Sequence, residues 1–549
     1  MRALGSWRIR LAAMTVVLAA VASACSGSTS SGGSGDTSAG GETGGTLKIA
    51  MSAGNIPIPD VSPDQGAEGQ RFVANNIYDS LTRLNLDQDK TLPTPQPALA
   101  QSWEVSPDQL TWTFHLRTDV KFHDDTPFNA DSVIFNFNRF TKPDFQFYEK
   151  TIAARQSARF KYFASYAKID DSTVTITTTQ PYSMLLNDLL TLNMASPTAV
   201  QTYGNQGYLQ HATGTGPFKM TKYIDGQVME LTANKSYWRG APKLDKIILT
   251  PQPEPASRLA SLQSGDANWA EVPAPDALSQ LKSQGFQIFM NDKHPGAIMP
   301  QFNFYRGPTT DLRVRQALNY AVDRQGTVNL IDGTGVPASQ YVYPGHPNFI
   351  PNYPGFSYDP AKAKALLADA GYGPGGQKLS LRFIYTVNGS GNMFPGPMME
   401  KLQADFKAVG VDVTLVPTEW NTFITIRTVG GLKSPQYADN DIIWASPAAG
   451  MLPIGYVQSF TCAAGGVPNI GGYCSPAVDA LYDQAAQTFD LAKQNQLLTQ
   501  MLKVAEDDAA FLYWVQDRNL RVMAPTVHGY VQAQSWWVDF TLLSVSSGN

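Results

Sequence analysis

Residues 1–45 constrain the fold most, because their composition leaves them no means of building a packed core. Arg2, Arg8 and Arg10 precede an apolar run, Leu11–Ala24, and Ser, Gly and Thr make up most of positions 26–45. A basic start, a short apolar run and small residues indicate an export signal, and fourteen apolar residues are too few to span a bilayer stably. We therefore expect the folded part to begin near residue 46, outside the cytoplasm.

Cys25 directly follows the small residues of Val21–Ala24, which is typical of a bacterial lipoprotein signal. We expect removal of residues 1–24, after which the Cys25 thiol carries lipid and anchors the chain on the extracytoplasmic face of the cell membrane. The alternative is an ordinary secretory cleavage near Ala24, because Ala22 stands where Leu, Val or Ile is usual. In the lipid-anchored form, residues 25–45 would be a tether. Their composition predicts a random coil with a root-mean-square end-to-end distance of roughly 25 Å.

Length and composition exclude several classes of function. The 549-residue chain is long enough for at least two lobes and a large core. Its formal net charge is −5 and it has no basic run, which argues against nucleic acid as a partner. None of its six histidines has the HExxH spacing, and the sequence has no GxSxG elbow and no phosphate-binding glycine loop before a helix. We expect a binding protein without catalytic residues, metal or cofactor.

The other two cysteines, Cys462 and Cys474, close a short glycine-rich loop. In an exported protein such a pair is most simply a disulfide, worth about 3 kcal/mol for a loop of this size. A metal site is the poorer alternative, because no histidine or further cysteine lies nearby.

Periodic patterns predict the elements of secondary structure. Alternation around a Ser-Pro-Asp turn predicts a hairpin over 103–117, and apolar spacing predicts a helix over 129–140. A strand, a helix and a second strand follow one another at 378–386, 397–409 and 411–418. This order predicts an α/β lobe built on a parallel sheet.

Further stretches towards both ends of the folded part have clear patterns. The segment 46–50 reads as a strand and 69–84 has helical apolar spacing. Towards the C-terminus, long helices are predicted over 475–490 and 491–507, and a strand over 511–515.

Four sequence blocks match a known family in order and spacing. They are Pro97–Phe140 with PALAQSWEVSPDQLTWTFHLR, Gly214–Ala270 with GTGPF and NKSYWRGAPKLDKI, Phe302–Arg324 with FNFYRGPTTDLRVRQALNYAVDR, and Gly472–Trp514 with GYCSPAVDALYDQAAQ and AAFLYW. In these blocks the chain resembles the extracellular solute-binding proteins of the oligopeptide, dipeptide and nickel type, which serve ABC importers. The resemblance covers nearly all of residues 46–540.

The resemblance implies an α/β, two-lobed periplasmic-binding-protein (venus flytrap) fold of three domains, with a ligand cleft between the lobes. The implied boundaries are 46–80, 205–295 and 510–549 for domain I, 81–204 for domain II and 296–509 for domain III. Two chain crossings, near 296–304 and 508–515, would form the hinge.

The resemblance also implies which residues contact the ligand. The positions that match the family's cleft are Glu68, Gly69, Met299, Trp420, Trp444, Tyr513 and Trp514. Aromatic faces would exclude water while backbone groups orient an extended peptide. Core packing is the alternative role for each tryptophan.

One position departs from the family pattern. Members that bind free peptides usually place an Asp three residues after the equivalent of Trp444, where it pairs with the ligand's ammonium group, and Pro447 stands there in this chain. A ligand with a free amine would therefore need another anchor.

The function that the resemblance implies is capture of a peptide or similar solute and its delivery to an ABC permease and ATPase. The chain would act as a monomer that is tethered to the membrane through its lipid. The alternatives are the same fold binding an oligosaccharide or other solute, and a sensor that is not coupled to import.

Overall fold

The computed structural model describes residues 44–294, 296–389, 391–444, 460–462 and 469–546. Cys25 and Pro447 lie outside these residues, as do the predicted signal and nearly all of the predicted tether. Within the described part of the chain, no helix combines the length and the apolar character needed to cross a bilayer.

A seven-stranded mixed sheet joins segments that are far apart in the sequence. In spatial order its strands are Gln287–Phe289, Arg521–Met523, Trp269–Glu271, Thr46–Met51, Lys246–Pro251, Val228–Ala233 and Phe218–Ile224. The strand predicted at 46–50 is confirmed and is central, because it pairs in parallel with a neighbour on each side. Leu47 and Ile49 point into the core and are buried.

A separate antiparallel sheet is built by residues 100–178. Its strands, in spatial order, are Ala100–Val105, Thr111–Leu116, Thr173–Thr178 and Phe163–Asp170. The first two form the predicted hairpin. The predicted helix is Ala130–Thr141, which begins where the Asn129 side chain accepts a hydrogen bond from the Ser132 N–H and packs on this sheet.

The predicted α/β lobe is confirmed by a four-stranded sheet, ordered Gln301–Phe302, Ile442–Trp444, Leu379–Thr386 and Val411–Thr418. The last three strands run parallel to one another, whereas the first is antiparallel to its neighbour. The helix Pro395–Ala408 makes the crossover between two of the parallel strands, as the sequence order predicts. The carboxyl ends of the three parallel strands therefore meet at one edge of the sheet.

A three-stranded sheet lies where the chain passes between the seven-stranded sheet and the four-stranded α/β sheet. Gly296–Ile298 and Gly335–Pro337 both pair antiparallel with Val515–Asp517. The strand predicted at 511–515 is displaced, because Phe511 makes only an isolated bridge to Gln301 and regular pairing begins at Val515.

The segment predicted as a helix over 69–84 is helical only in part. Gly66–Glu68, Gly69–Ala74 and Asn75–Ile77 form one continuous helical stretch whose middle is π-helical. The stretch ends because Tyr78 is extended, with φ −122° and ψ 161°. Thr82–Leu84 is a strand that pairs with another segment, so the helix prediction is wrong there.

Within the described ranges, the remaining helices of six or more residues flank these sheets. They are Lys150–Gln156, Pro197–Tyr208, Pro255–Ser264, Leu278–Ser283, Leu312–Ala321, Arg324–Leu330, Pro360–Asp369, Trp420–Thr428, Pro476–Ala486 and Leu491–Asp507. The last two are the predicted C-terminal helices, and the end of the first, with the residues that follow it, contacts residues 112–183. There the Ser183 N–H donates to the Ala486 carbonyl at 2.8 Å, and the rings of Trp112 and Phe489 stack with centroids 5.9 Å apart.

Candidate ligand cleft

The candidate cleft lies at the edge where the three parallel strands end. We call this the strand-end edge: the residues 386–389 and 391–394 after one strand, Trp420 and Asn421 after the next, and Trp444 at the end of the third. The carboxyl ends of parallel strands are the usual place for ligands in open α/β sheets.

A second segment, residues 52–68, lies against the strand-end edge, and we call it the facing segment. It follows the central strand of the large sheet. The Gln65 side-chain amide donates to Asn421 Oδ1 at 3.4 Å, and a Cβ built on Gly54 would lie 3.4 Å from Asn388 Nδ2. The two lobes therefore contact each other around the predicted ligand position.

Glu68 is the last residue of the facing segment, and both oxygens of its carboxylate accept hydrogen bonds from the same chain. Oε1 accepts from the Ser52 N–H at 3.1 Å and the Ser52 hydroxyl at 2.5 Å, and Oε2 accepts from the Ala53 N–H at 2.9 Å. Burial raises the pKa of this carboxyl, and the nearby Glu271 raises it further. Glu68 thus holds the start of the facing segment against the helical stretch.

Gly69 allows the backbone to pack closely beside Glu68. A Cβ at this position would lie 1.9 Å from the Asp64 carbonyl oxygen, so no larger residue fits without movement of the chain. Gly69 therefore shapes the turn that brings the facing segment to the strand-end edge.

A buried ionic cluster lies under the facing segment, next to the three-stranded sheet. Arg71 pairs with Glu271 at 2.5 Å, and Arg521 approaches the same carboxylate at 3.4 Å. The Trp269 indole N–H donates to Glu271 at 2.8 Å. Because each charge has an opposite partner, we expect this cluster to fix the position of the strands rather than to bind solute.

Trp420 covers the loop of the strand-end edge. Its backbone N–H donates to Asn388 Oδ1 at 3.0 Å, and its ring lies on Gly389, where a Cβ would be 2.4 Å from Trp420 Cε3. The side chain is only 5% exposed, and its Nε1–H has no hydrogen-bond partner.

Trp444 packs on the opposite face of the sheet from Trp420. Ile443 shares a hydrophobic cluster with Trp420, whereas Trp444 belongs to the cluster that contains Trp514. The Trp444 and Trp514 rings meet edge to face at 5.5 Å, and both are fully buried. The Trp514 N–H donates to Thr327 Oγ1 at 3.1 Å, but the Trp444 N–H has no partner.

Met299 and Tyr513 lie in the core beside the three-stranded sheet. Both are buried, and the Tyr513 ring stacks on Phe356 with centroids 5.9 Å apart. The backbone N–H of Tyr513 donates to Asn319 Oδ1, and its carbonyl accepts from the Arg324 guanidinium, each at 2.9 Å. These contacts fix the second chain crossing in place.

Sequence reasoning missed three polar residues beside the predicted ones. Gln65 Oε1, Thr386 Oγ1 and Asn392 Oδ1 are buried and have no hydrogen-bond partner. The sequence does carry a signal for two of them, because Thr386 and Asn392 bracket a Gly-rich turn directly after a predicted strand.

Two further kinds of site that the sequence raised are a disulfide and a metal site. A disulfide joins Cys462 and Cys474, as predicted. Within the described residues, no group of three His, Cys, Asp or Glu side chains could hold a metal ion.

An open pocket outside the cleft brings together none of the predicted site residues. It lies between Asn75–Leu86 and the C-terminal segment Trp537–Phe540. Its acidic groups are already paired, since Asp539 accepts from Arg239 at 2.7 Å and Asp79 accepts from Tyr237 and two further donors. We therefore place the candidate site at the strand-end edge.

Comparison with known proteins finds binding proteins that match nearly the whole chain. Heme-binding protein A of Haemophilus influenzae is 28% identical over 98% of this chain and 98% of its own length. The dipeptide-binding protein of Escherichia coli K12 is 28% identical over 88% of this chain and 94% of its own length. The structure of the periplasmic binding protein DppA from Helicobacter pylori, in complex with the peptide STSA, matches with a TM-score of 0.80 at 22% identity, covering 92% of this chain and 99% of that one.

These matches confirm the predicted two-lobed α/β fold of periplasmic binding proteins. The family model described as "Bacterial extracellular solute-binding proteins, family 5 Middle" matches residues 94–452, which is more than half of the chain. The chain therefore belongs to the family 5 extracellular solute-binding proteins of bacteria.

Proposed function

We propose that the chain captures a peptide or a similar small solute between the strand-end edge and the facing segment, and delivers it to an ABC importer. The observation that carries the proposal is the set of buried polar atoms without partners at this edge, which a ligand could pair. Buried polar groups normally have partners, so the unpaired atoms at this edge are candidate contacts for a ligand. The relatives support a solute-binding role, and their names include a dipeptide and heme as ligands.

The lobes would move as the predicted domains, with 46–80, 205–295 and 510–549 forming domain I, 81–204 domain II and 296–509 domain III. The hinge would include Gly296–Ile298, within the first predicted crossing, and Val515–Asp517, which begins where the second predicted crossing ends.

Capture would proceed by closure of the two lobes on the ligand. A ligand can drive closure only through a higher affinity for the closed state, which the contact between Gln65 and Asn421 would help to define. A micromolar dissociation constant corresponds to about 8 kcal/mol, which an aromatic-lined, water-excluding site can supply.

Among the predicted contact residues, Trp420 and Trp444 each have a buried indole N–H without a partner, and the Trp420 ring packs on Gly389 of the strand-end edge. We propose that Trp420 contacts the ligand from its face of the sheet, whereas Trp444, on the opposite face, supports the site through its packing on Trp514. Glu68, Gly69, Met299, Tyr513 and Trp514 would then shape the site and the hinge from behind.

Native mass spectrometry of the mature chain tests the proposed capture. The chain is purified without its signal, and its mass is measured as isolated and after incubation with mixed peptides and oligosaccharides. We expect a retained, chemically unchanged solute. Conversion of the added solute into products would overturn the proposal.

A further inference from the structure

The loop after the strand Leu379–Thr386 contains the pair Asn388 and Gly389, and no other asparagine in the chain precedes a glycine. The backbone nitrogen of the residue after an asparagine can attack the side-chain amide carbon and displace ammonia. Glycine permits the closest approach, because it has no Cβ to hinder the attack. The sequence therefore holds one pair that is chemically suited to deamidation.

The attacking nitrogen is free in the folded chain. The Gly389 N–H donates to no residue that the structure describes, because the regular pairing of its strand ends at Thr386. The last backbone donor held before it is the Val387 N–H, which donates to the Thr418 carbonyl at 3.0 Å. No hydrogen bond must break before the Gly389 nitrogen reacts.

The Asn388 amide is held at both of its polar atoms. Its Oδ1 accepts from the Trp420 backbone N–H at 3.0 Å, and its Nδ2 donates to Glu419 Oε2. A donor on the carbonyl oxygen stabilises the negative charge that develops there during attack. The carboxylate stabilises the positive charge on the nitrogen as that group takes up a proton and leaves.

Asn388 also lies where the two lobes meet. A Cβ built on Gly54 of the facing segment would be 3.4 Å from Asn388 Nδ2. The Asn388 carbonyl accepts from the side chain of Asn392, whose own Oδ1 is unpaired. A change of charge at Asn388 would therefore act between the facing segment and the strand-end edge.

We propose that Asn388 is a site of deamidation, and that its conversion weakens closure of the cleft. The Gly389 nitrogen loses its proton to water and bonds to Asn388 Cγ. The bond between Cγ and Nδ2 breaks, and the departing nitrogen takes a proton from water and leaves as ammonia. Water then opens the cyclic imide at either carbonyl, which gives an aspartate or an isoaspartyl link at position 388.

The product would place a second carboxylate beside Glu419. The amide donor that binds Glu419 is lost, and two neighbouring carboxylates repel each other. The isoaspartyl product also lengthens a loop in which the Trp420 ring packs on Gly389. Solute affinity should fall by about threefold to tenfold, because the closed arrangement of the lobes is disfavoured. This effect on affinity rests on the proposed function, whereas the conversion itself does not.

Peptide mapping of aged protein tests the conversion. The mature chain is incubated for weeks in mildly alkaline buffer at body temperature and cut with trypsin, which releases residues 383–401 as one fragment. The fragment contains Asn388 and also Asn392, which precedes a methionine and is the internal control. We expect a gain of one mass unit at Asn388 while Asn392 stays unchanged.

Variants test the role of the neighbouring groups. Glu419→Gln keeps a hydrogen-bond acceptor but removes the charge, so conversion at Asn388 should slow by at least about tenfold. Asn388→Gln keeps the amide but requires a larger ring, so it should gain no mass over the same period. Thermal melting shows whether each variant is folded.

Asn388→Asp reproduces one product and tests the effect on closure. The mixed peptide pool is incubated with the fresh chain, the aged chain and this variant, and the affinity of a retained peptide is measured for each by calorimetry. We expect the aged chain and the variant to bind about threefold to tenfold more weakly than the fresh chain.

The outcomes separate this inference from the proposed function. An unchanged Asn388 in the aged chain, or equal mass gains at Asn388 and Asn392, would overturn the inference and leave solute capture intact. An unchanged rate in Glu419→Gln would refute the role given to that carboxylate. Equal affinity of Asn388→Asp and the fresh chain would overturn the effect on closure. Retention of no solute by the fresh chain would overturn the proposed function, while a mass gain at Asn388 would still support the conversion.

Discussion

At the scale of single residues, burial within the protein sets the pKa of the Glu506 carboxyl. Glu506 is fully buried on the helix Leu491–Asp507, and its Oε1 accepts from the Tyr341 N–H at 3.0 Å. Burial raises the pKa of its carboxyl from 4.5 to about 8. The folded chain therefore keeps this proton at neutral pH, whereas the unfolded chain releases it.

This difference predicts a pH-dependent stability. Between pH 4.5 and 8 the unfolded state binds fewer protons at Glu506 than the folded state, so the free energy of unfolding should fall as the pH rises, by up to about 5 kcal/mol. Glu506→Gln keeps the oxygen that accepts from Tyr341 but cannot ionise, so its unfolding free energy should lack this slope. Urea denaturation at several pH values measures both proteins. Identical slopes would show that Glu506 does not titrate in this range.

The resemblance implied cleft positions for Trp420 and Trp444, but the sequence did not indicate the face of the sheet on which each ring packs. Trp420 and Trp444 both lie at the strand-end edge, but on opposite faces of the sheet. Strand alternation fixes which neighbours share a face, while the side of the sheet that meets the other lobe depends on tertiary packing. Unpaired atoms such as Thr386 Oγ1 become visible only once all possible partners are placed.

At the scale of elements, the loop after Leu379–Thr386 is held by its contact with the helix Trp420–Thr428. Gly389 has φ +98°, and the Trp420 ring occupies the space where a Cβ would be. The same glycine therefore satisfies both a backbone requirement and a packing requirement.

Gly389→Ala should destabilise the fold and disturb the cleft. Gly373 is a matched control, because its φ is +100° but nothing lies within 4 Å of its Cβ position. Gly373→Ala should cost about 1 kcal/mol of unfolding free energy from backbone strain alone. Gly389→Ala should cost about 1–3 kcal/mol more, since Trp420 must also move. Denaturation and ligand affinity measure the two effects, and equal losses in both variants would show that the contact with Trp420 is unimportant.

Elements with strong local patterns were predicted well, whereas their ends were not. The parallel strands and their crossover helix follow directly from apolar periodicity and a glycine stop. The helical stretch ends at Ile77 instead of 84 because Tyr78 is extended, with its hydroxyl donating to the Pro59 carbonyl at 2.9 Å. Such a long-range contact overrides the local pattern.

At the scale of the whole molecule, the order of the sequence blocks was sufficient to predict the fold. Segments more than 200 residues apart meet in the large sheet, as in the pairing of Ile49 with Trp269. No local pattern predicts such pairings, so this part of the prediction depended on the resemblance to a family.

The proposed lipid anchor makes a prediction about the location of the intact protein. When the full chain is expressed in a bacterial host, Cys25→Ala should release it from the membrane fraction, because the position that would carry the lipid is lost. Cys462→Ala with Cys474→Ala is the control, since it removes the disulfide but keeps Cys25. Fractionation followed by immunoblotting measures the distribution, and full retention of the Cys25→Ala chain on the membrane would contradict the anchor.

The two chain crossings have a consequence for how the lobes can move. Gly296–Ile298 and Val515–Asp517 are hydrogen-bonded neighbours in one small sheet, not separate linkers. Neither can bend independently, since shearing one past the other would break their shared hydrogen bonds. If these strands are the hinge, as proposed, the two crossings would turn together, and the lobes would open and close in one concerted movement.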